Sequence, residues 1–351
     1  MRKIFFNSFF LFSIVIMYGQ FNQHTKQQIV VNEEFIYEIA DAKTPQCHAS
    51  TIAEAGNVLV AAWFGGTKEK NKDVGIWVSR KINGKWSVPL EVVNGKQADG
   101  SRFPCWNPVL FQPKSGKLFL FYKVGPNPRE WWGMYVTSED NGENWSEPIK
   151  LPKGIYGPIK NKPVELSNGD IISPTSTEHD GWKVQVERSS DLGKTWKSSG
   201  DLNDTSKYHA IQPTILVHSN TTLQMLCRTK NSVITELWSY DNGYTWSLMV
   251  TTGLPNPNSG IDAVSLKDGR YLLVGNPTRV GNISDNITLI DLNTFSVSQI
   301  PTQSDFPAGI AVFNKYKKPV PQQVPIFDPI GLAGMILLLG TLAFIRLRRY
   351  N

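Results

Sequence analysis

Short apolar runs come in pairs along the middle of the chain, each pair folded about a turn residue. His48–Ile52 precedes Val58–Trp63, Asn107–Phe111 precedes Lys117–Tyr122, and Lys162–Leu166 precedes Asp170–Ser173. Gln212–Leu216 then precedes Thr222–Leu226, and Ile261–Ser265 precedes Arg270–Val274. The turns centre on Gly56, Gly116, Gly169, Asn220 and Gly269. Runs of this length bounded by Gly and Asn read as strands and tight turns. The middle region lacks the period of an amphipathic helix. Five copies of a unit of about four short strands predict the blades of an all-β propeller.

A second repeat marks the turns after the third strands. Ser138 to Trp145, Ser189 to Trp196 and Ser239 to Trp246 each span the same seven-residue step, with Asp140, Asp191 and Asp241 two residues in and a Gly four residues in. A worn copy, Ser79 to Trp86, keeps its ends and Gly84 but loses the Asp. The copies start 59, 51 and 50 residues apart. A period in that range signals a propeller or solenoid. Asp bonds its own nearby backbone and Gly supplies positive φ, while Trp145, Trp196 and Trp246 are expected to pin each turn to the sheet. The octad is therefore structural. At about fifty residues per blade a six-bladed ring fits positions 25–318, with strand 29–39 closing it. The pattern thins after Val274: only Asn286–Leu292 and Ala308–Asn314 read as further strands. The sixth blade is thus expected to be short or incomplete.

The ends read differently. Arg2 and Lys3 followed by the apolar run Ile4–Met17 predict a signal peptide over residues 1–20. Pro319–Pro325 lies in a linker (319–327), and residues 328–351 carry the apolar run Ile330–Ile345 and three arginines. This predicts a hydrophobic helix, as a membrane anchor or as a sorting tail that a peptidase would cut. Either way the propeller is placed outside the cytoplasm, periplasmic or at the cell surface. The net charge is +6, and five of the basic residues sit in the two ends, so a nucleic-acid partner is not expected. Cys47 and Cys105 each precede an inner strand. An exported protein permits a disulfide there, and two free thiols are the simpler expectation. No CxxC or His cluster points to a metal, and no cofactor is expected.

The octads resemble the Asp-boxes of sialidases. The longer segments Cys47–Ile52, Ala61–Gly66, Pro104–Phe111, Gly157–Pro163 and Asn258–Asp262 resemble the bacterial sialidase-like BNR-repeat family, of predicted-neuraminidase type, over roughly residues 30 to 280. The resemblance implies a sialidase-like β-propeller whose site lies where inner strands begin. It also implies an arginine cluster for a sugar carboxylate, an Asp as acid/base and a Tyr nucleophile activated by a Glu. Asp73 falls where the acid/base Asp falls, and Arg228 where the second carboxylate arginine falls. His48 stands in place of the first arginine, and Gln212 where the Glu partner is expected. Arg279 lies near the third arginine. The Tyr belongs in the last blade, where Tyr316 alone remains.

Candidate residues at the mouth are accordingly Asp73, His48 and His209 for proton transfer. Arg228, Arg102, Lys160, Lys162, Asn107, Gln212, Asp262 and Trp106 are candidates for holding an acidic glycan, Trp106 by stacking on sugar. Asn161, Asn258 and the Glu178–Asp180 loop border the same end. Three functions fit. The first is an exo-glycosidase that hydrolyses a terminal acidic sugar. The second is a lyase that abstracts the proton α to a uronate carboxylate. The third is a glycan-binding propeller without catalysis.

Overall fold

The computed structural model describes residues 34–114, 116–266, 269, 271–275, 286–291 and 297–301 of the 351-residue chain. It divides into two compact units. The described part of the second is Leu266 and Gly269, joined by a hydrogen bond from the Gly269 N–H to the Leu266 carbonyl. The first unit holds every strand found among the described residues.

Five antiparallel sheets follow one another along the chain. Blade 1 comprises β1 (Gln46–Ala55), β2 (Val58–Gly66), β3 (Gly75–Ile82), β4 (Lys85–Trp86) and β5 (Leu90–Val93). Blade 2 comprises β6 (Cys105–Phe111), β7 (Leu118–Val124), β8 (Trp132–Ser138) and β9 (Ile149–Lys150). Blade 3 holds β10 (Val164–Glu165), β11 (Ile171–Thr177), β12 (Lys183–Ser189) and β13 (Lys197–Ser198). Blade 4 holds β14 (Ala210–Val217), β15 (Leu223–Thr229), β16 (Val233–Ser239) and β17 (Val250–Pro255). Blade 5 holds β18 (Ile261–Ser265), β19 (Tyr271–Gly275), β20 (Asn286–Asp291) and β21 (Val297–Pro301).

Each blade buries one face on the next. Val60, Ala62 and Ile76 of blade 1 pack with Leu110, Leu120 and Tyr122 of blade 2. Phe111 and Phe121 then meet Ile171 of blade 3, Ile172 and Val186 meet Ile215 and Met225 of blade 4, and Leu216 and Leu226 meet Ile261 and Leu273 of blade 5. Fully burying each such side chain contributes roughly 1.5–3 kcal/mol. A run of sheets packed face on face in chain order is the propeller the sequence predicts.

The count differs from expectation. Five sheets stand among the described residues, not six. Residues 34–38, expected in a closing strand, form no strand and lead into a 3-10 turn at Ile39–Asp41. The signal peptide, Ala308–Asn314, the linker and the C-terminal helix lie outside the described residues. No helix among the described residues is long and apolar enough to cross a membrane.

The octads lie between third and fourth strands of blades 2, 3 and 4. In each, the Ser hydroxyl accepts the Gly N–H: Ser138 from Gly142 at 2.7 Å, Ser189 from Gly193 and Ser239 from Gly243 at 2.8 Å. The Asp carboxylate accepts the N–H four residues on, at 2.8, 2.8 and 2.9 Å for Asp140, Asp191 and Asp241. These bonds, led by that of the Thr195 hydroxyl, hold the Asp191 carboxyl down at about 2. Gly142 is left-handed, and a Cβ there would meet Val60 of blade 1 at 3.2 Å. Each box therefore ties its own turn and also packs on the preceding blade, Gly193 facing Phe119 and Gly243 facing Arg188. The worn copy is not an Asp-box: Asn83-Gly84, both at positive φ, closes a two-residue hairpin between β3 and β4.

Three inner strands carry one shared irregularity. Pairing slips between His48 and Thr51 in β1, between Trp106 and Val109 in β6, and between Ile211 and Thr214 in β14. Inside each slip one residue is left-handed: Ala49 (φ 53°), Asn107 (φ 41°) and Gln212 (φ 52°). Such bulges re-aim side chains at a strand's start. All three lie at the end away from the Asp-boxes, because inner and third strands run parallel and the boxes follow the third strands.

Candidate functional site at the channel mouth

The starts of the inner strands in blades 3 to 5 converge on one polar cluster. The segment before β10 carries Lys160, Asn161 and Lys162. Lys160 takes a left-handed backbone (φ 69°), and its ammonium donates to the Ile261 carbonyl at 2.8 Å and to Asn161 Oδ1 at 3.1 Å. Asn161 is fully buried, and its Nδ2 donates to the Gln212 and Pro213 carbonyls at 3.0 Å each. One side chain thus bridges blade 3 to blade 4 while orienting the lysine that reaches blade 5.

Arg228, near the end of β15, completes the cluster. Its Nε donates to Asn258 Oδ1 at 3.0 Å and its Nη1 to Gln212 Oε1 at 3.1 Å. Its guanidinium carbon lies 5.4 Å from the Trp182 ring centre, and the Lys230 ammonium 4.2 Å from it. The Trp182 indole N–H is held by Glu178 at 2.9 Å. Asp262 accepts the Thr214 hydroxyl at 3.3 Å and the Ala263 N–H at 2.9 Å. Burial lowers the Lys160 pKa; Asp262 opposes that shift, and Lys162 and Arg228 add to it. Lys160 therefore feels all three of the other charged groups. Beside them a cavity of about 330 Å³ opens between β10, β14 and β18, lined by Lys162, Thr214 and Asp262 among others. The cavity lining itself carries Glu165 and Asp262 against Lys162, so an anion is favoured on the side of Lys160, Lys162 and Arg228, where three cations face Asp262.

Blades 1 and 2 hold a separate group. Asp73 is exposed, and Oδ2 accepts both the Thr67 hydroxyl and the Thr67 N–H, the latter at 2.7 Å. The Thr67 hydroxyl is the largest influence holding this carboxyl below its ordinary range, with Arg102 adding to it. Arg102 donates to the Asp73 carbonyl at 2.9 Å and pairs with Glu91 at 3.4 Å. His48 is exposed, its ring edge-on to Phe64 at 5.5 Å. Asn107 is half-buried within its bulge. His209, before β14 of blade 4 and outside that group, is exposed and bonded through its backbone, to Asn231 Oδ1 and from the Lys230 N–H.

Trp106 requires a correction. It is 2 % exposed, its indole N–H is bonded to the Gly125 carbonyl at 2.8 Å, and Phe64 and Trp131 pack against its ring. No face is left for a sugar, because the bulge that turns Asn107 outward leaves Trp106 in the core. Cys47 and Cys105 are free thiols. Arg279 and Tyr316 lie outside the described residues, and no cluster of metal-ligating side chains occurs among the described residues. Sequence reasoning missed Trp182 and Lys230. The spacing of Arg228, near the end of β15, and Lys230, just beyond it, was the available signal.

The sheets and their mouth define an all-β propeller of the sialidase kind. Residues 57–292 match the family described as BNR repeat-like domain, and the chain belongs to that family. A sialidase from Paraclostridium sordellii is 27 % identical over 199 residues, which cover 48 % of this chain and 48 % of that protein. The match thus spans about half the length of that relative. Among solved structures, a protein of unknown function from Dyadobacter fermentans superposes with TM-score 0.60 at 16 % identity, covering 73 % of this chain and 83 % of its own. A NanB sialidase variant from Streptococcus pneumoniae superposes with TM-score 0.61 at 14 % identity, covering 82 % and 66 %.

Proposed function

We propose that the protein is an exported, sialidase-like exo-glycosidase that removes a terminal acidic sugar from glycans. The cationic cluster of Lys160, Lys162 and Arg228 beside the channel cavity carries this reading, because a sugar carboxylate matches its charge and its forked donors. Gln212 and Asn258 hold the guanidinium in place, which lowers the ordering cost of binding. Asp73 is assigned proton transfer: it gives the leaving-group oxygen a proton and then takes one from the attacking water. His48 and His209 are assigned supporting roles on the same rim. The sialidase named above supports the choice of hydrolysis.

One observation favours a second reading. Gln212, at the position of the Glu partner, is spent on Arg228 and cannot activate a Tyr, as a lyase on uronate polymers would tolerate. Incubation with a sialoside reporter and with polygalacturonate separates the two. Free sugar from the sialoside is the expected result. A new absorbance from an unsaturated uronate overturns hydrolysis in favour of the lyase, and binding without either product leaves a glycan-binding propeller. Export through the N-terminal apolar segment, with retention by the C-terminal one, belongs to the same proposal. Protease shaving of intact cells is expected to remove the propeller, and its full protection would refute export.

A further inference from the structure

Lys123 and Glu187 are fully buried charged side chains to which the proposed chemistry gives no task. Glu187, on β12, accepts the Tyr156 N–H at 2.6 Å through Oε1 and the Gly157 N–H at 2.7 Å through Oε2. Lys123, on β7, donates to the next carbonyl, Pro158, at 2.9 Å. Thr175, on β11, donates to the Gly157 carbonyl at 2.8 Å, and the Ile159 N–H reaches the Pro174 carbonyl at 3.2 Å. Residues 156–159 are thus tied one after another although no strand begins until Val164. Two residues of that same segment further on stand Lys160 and Asn161. Gly157 is left-handed (φ +70°), and a Cβ there would meet Leu151 Cδ1 at 3.0 Å, so the backbone sits tight under the clasp.

We propose that Lys123 and Glu187 are positioning residues for the mouth: a buried clasp from blades 2 and 3 that fixes the segment presenting Lys160, Asn161 and Lys162. The proposal rests on the reading of that mouth as an anion site. Burying such a pair is seldom the most stable choice, since apolar replacements are often neutral or better. What the pair supplies is one backbone arrangement, because two carboxylate oxygens and one ammonium match backbone groups on three consecutive residues. Glu187 and Asp180 both act on Tyr156, whose ring also lies 5.2 Å from that of His179.

Glu187→Gln tests this, because an amide offers one acceptor where two N–H groups need partners. Amide exchange at Tyr156 and Gly157 should quicken at least about tenfold, and affinity for N-acetylneuraminate or galacturonate should fall about tenfold. Lys123→Met should act in the same direction. Ser239→Ala, which removes the hydroxyl's three hydrogen bonds in the blade 4 Asp-box, should lower stability and leave both readouts unchanged. Wild-type affinity should weaken as Glu187 takes up a proton on acidification, and Glu187→Gln should lose that inflection. Unchanged exchange in both variants overturns the clasp. Faster exchange with unchanged affinity overturns its positioning role. If the wild type binds neither sugar, the reading of the mouth fails instead, and the exchange comparison alone decides the clasp.

Discussion

Asn161→Leu removes a bridge while keeping volume. The wild-type side chain makes three hydrogen bonds: two from Nδ2 to the Gln212 and Pro213 carbonyls, and one from the Lys160 ammonium to Oδ1. A neutral bond contributes about 1 kcal/mol net, and one to a charged group about 1.5–3 kcal/mol. Asn161 is fully buried, so water does not readily replace the lost partners. The sum is about 3–5 kcal/mol, or two orders of magnitude or more in the folding equilibrium. Urea titration followed by tryptophan fluorescence measures it, and Asn161→Ala should be at least as damaging because it adds a cavity. Lys160 should also lose its orientation, so acidic-sugar affinity should fall at a urea concentration where both proteins are folded. A loss below about 1 kcal/mol for Asn161→Leu would refute the bridge.

Three further outcomes are expected. Arg228→Lys should fold normally and bind acidic sugar at least about tenfold more weakly, since an ammonium cannot reproduce the fork held by Gln212 and Asn258; equal affinity by calorimetry would exclude the clamp. Ala49→Gly should raise stability by up to about 1 kcal/mol, because Ala49 sits at φ 53°, and a lowered urea midpoint would contradict the strain. The clasp also sets a pH dependence. Burial raises Glu187 from 4.5 to about 7, so the folded chain holds that proton more tightly and stability falls as pH rises from 4.5 to 7. Burial lowers Lys123 from 10.5 to about 7, so the unfolded chain binds the proton more tightly above 7 and stability recovers towards 10.5. Relative to a Lys123→Met/Glu187→Gln double variant, the melting temperature of the wild type should be lowest near pH 7; a flat difference from pH 5 to 9 would defeat the assignment.

The blades were legible because strand pairs and turn residues are local signals. Turns near Gly56, Gly169 and Asn220 separate the first two strands where expected, and Asn286–Leu292 nearly coincides with β20. β21 escaped notice, being a short run that ends at Pro301. The mouth was half legible. Lys160, Lys162, Gln212, Arg228 and Asp262 all lie before or at the start of inner strands or near the end of a second one, and the structure gathers them. Trp106 misled because alternation cannot say which neighbour a bulge turns outward. Lys123 and Glu187 were illegible for a different reason: Lys123 looks like an intruder in an apolar strand and Glu187 like an ordinary polar position in a mixed one, and only the fold brings them to one loop from 64 residues apart.

The bulges at Ala49, Asn107 and Gln212 bear on how such a protein changes over generations. Beyond each slip the strand pairing resumes, so a substitution at these places leaves the sheet's bonding untouched. The rim is in effect a set of sockets cut into a fixed frame, and it can be refitted for a different sugar one side chain at a time. Relatives with the same five sheets should therefore differ most at these few sockets and least at the Asp-box turns at the far end.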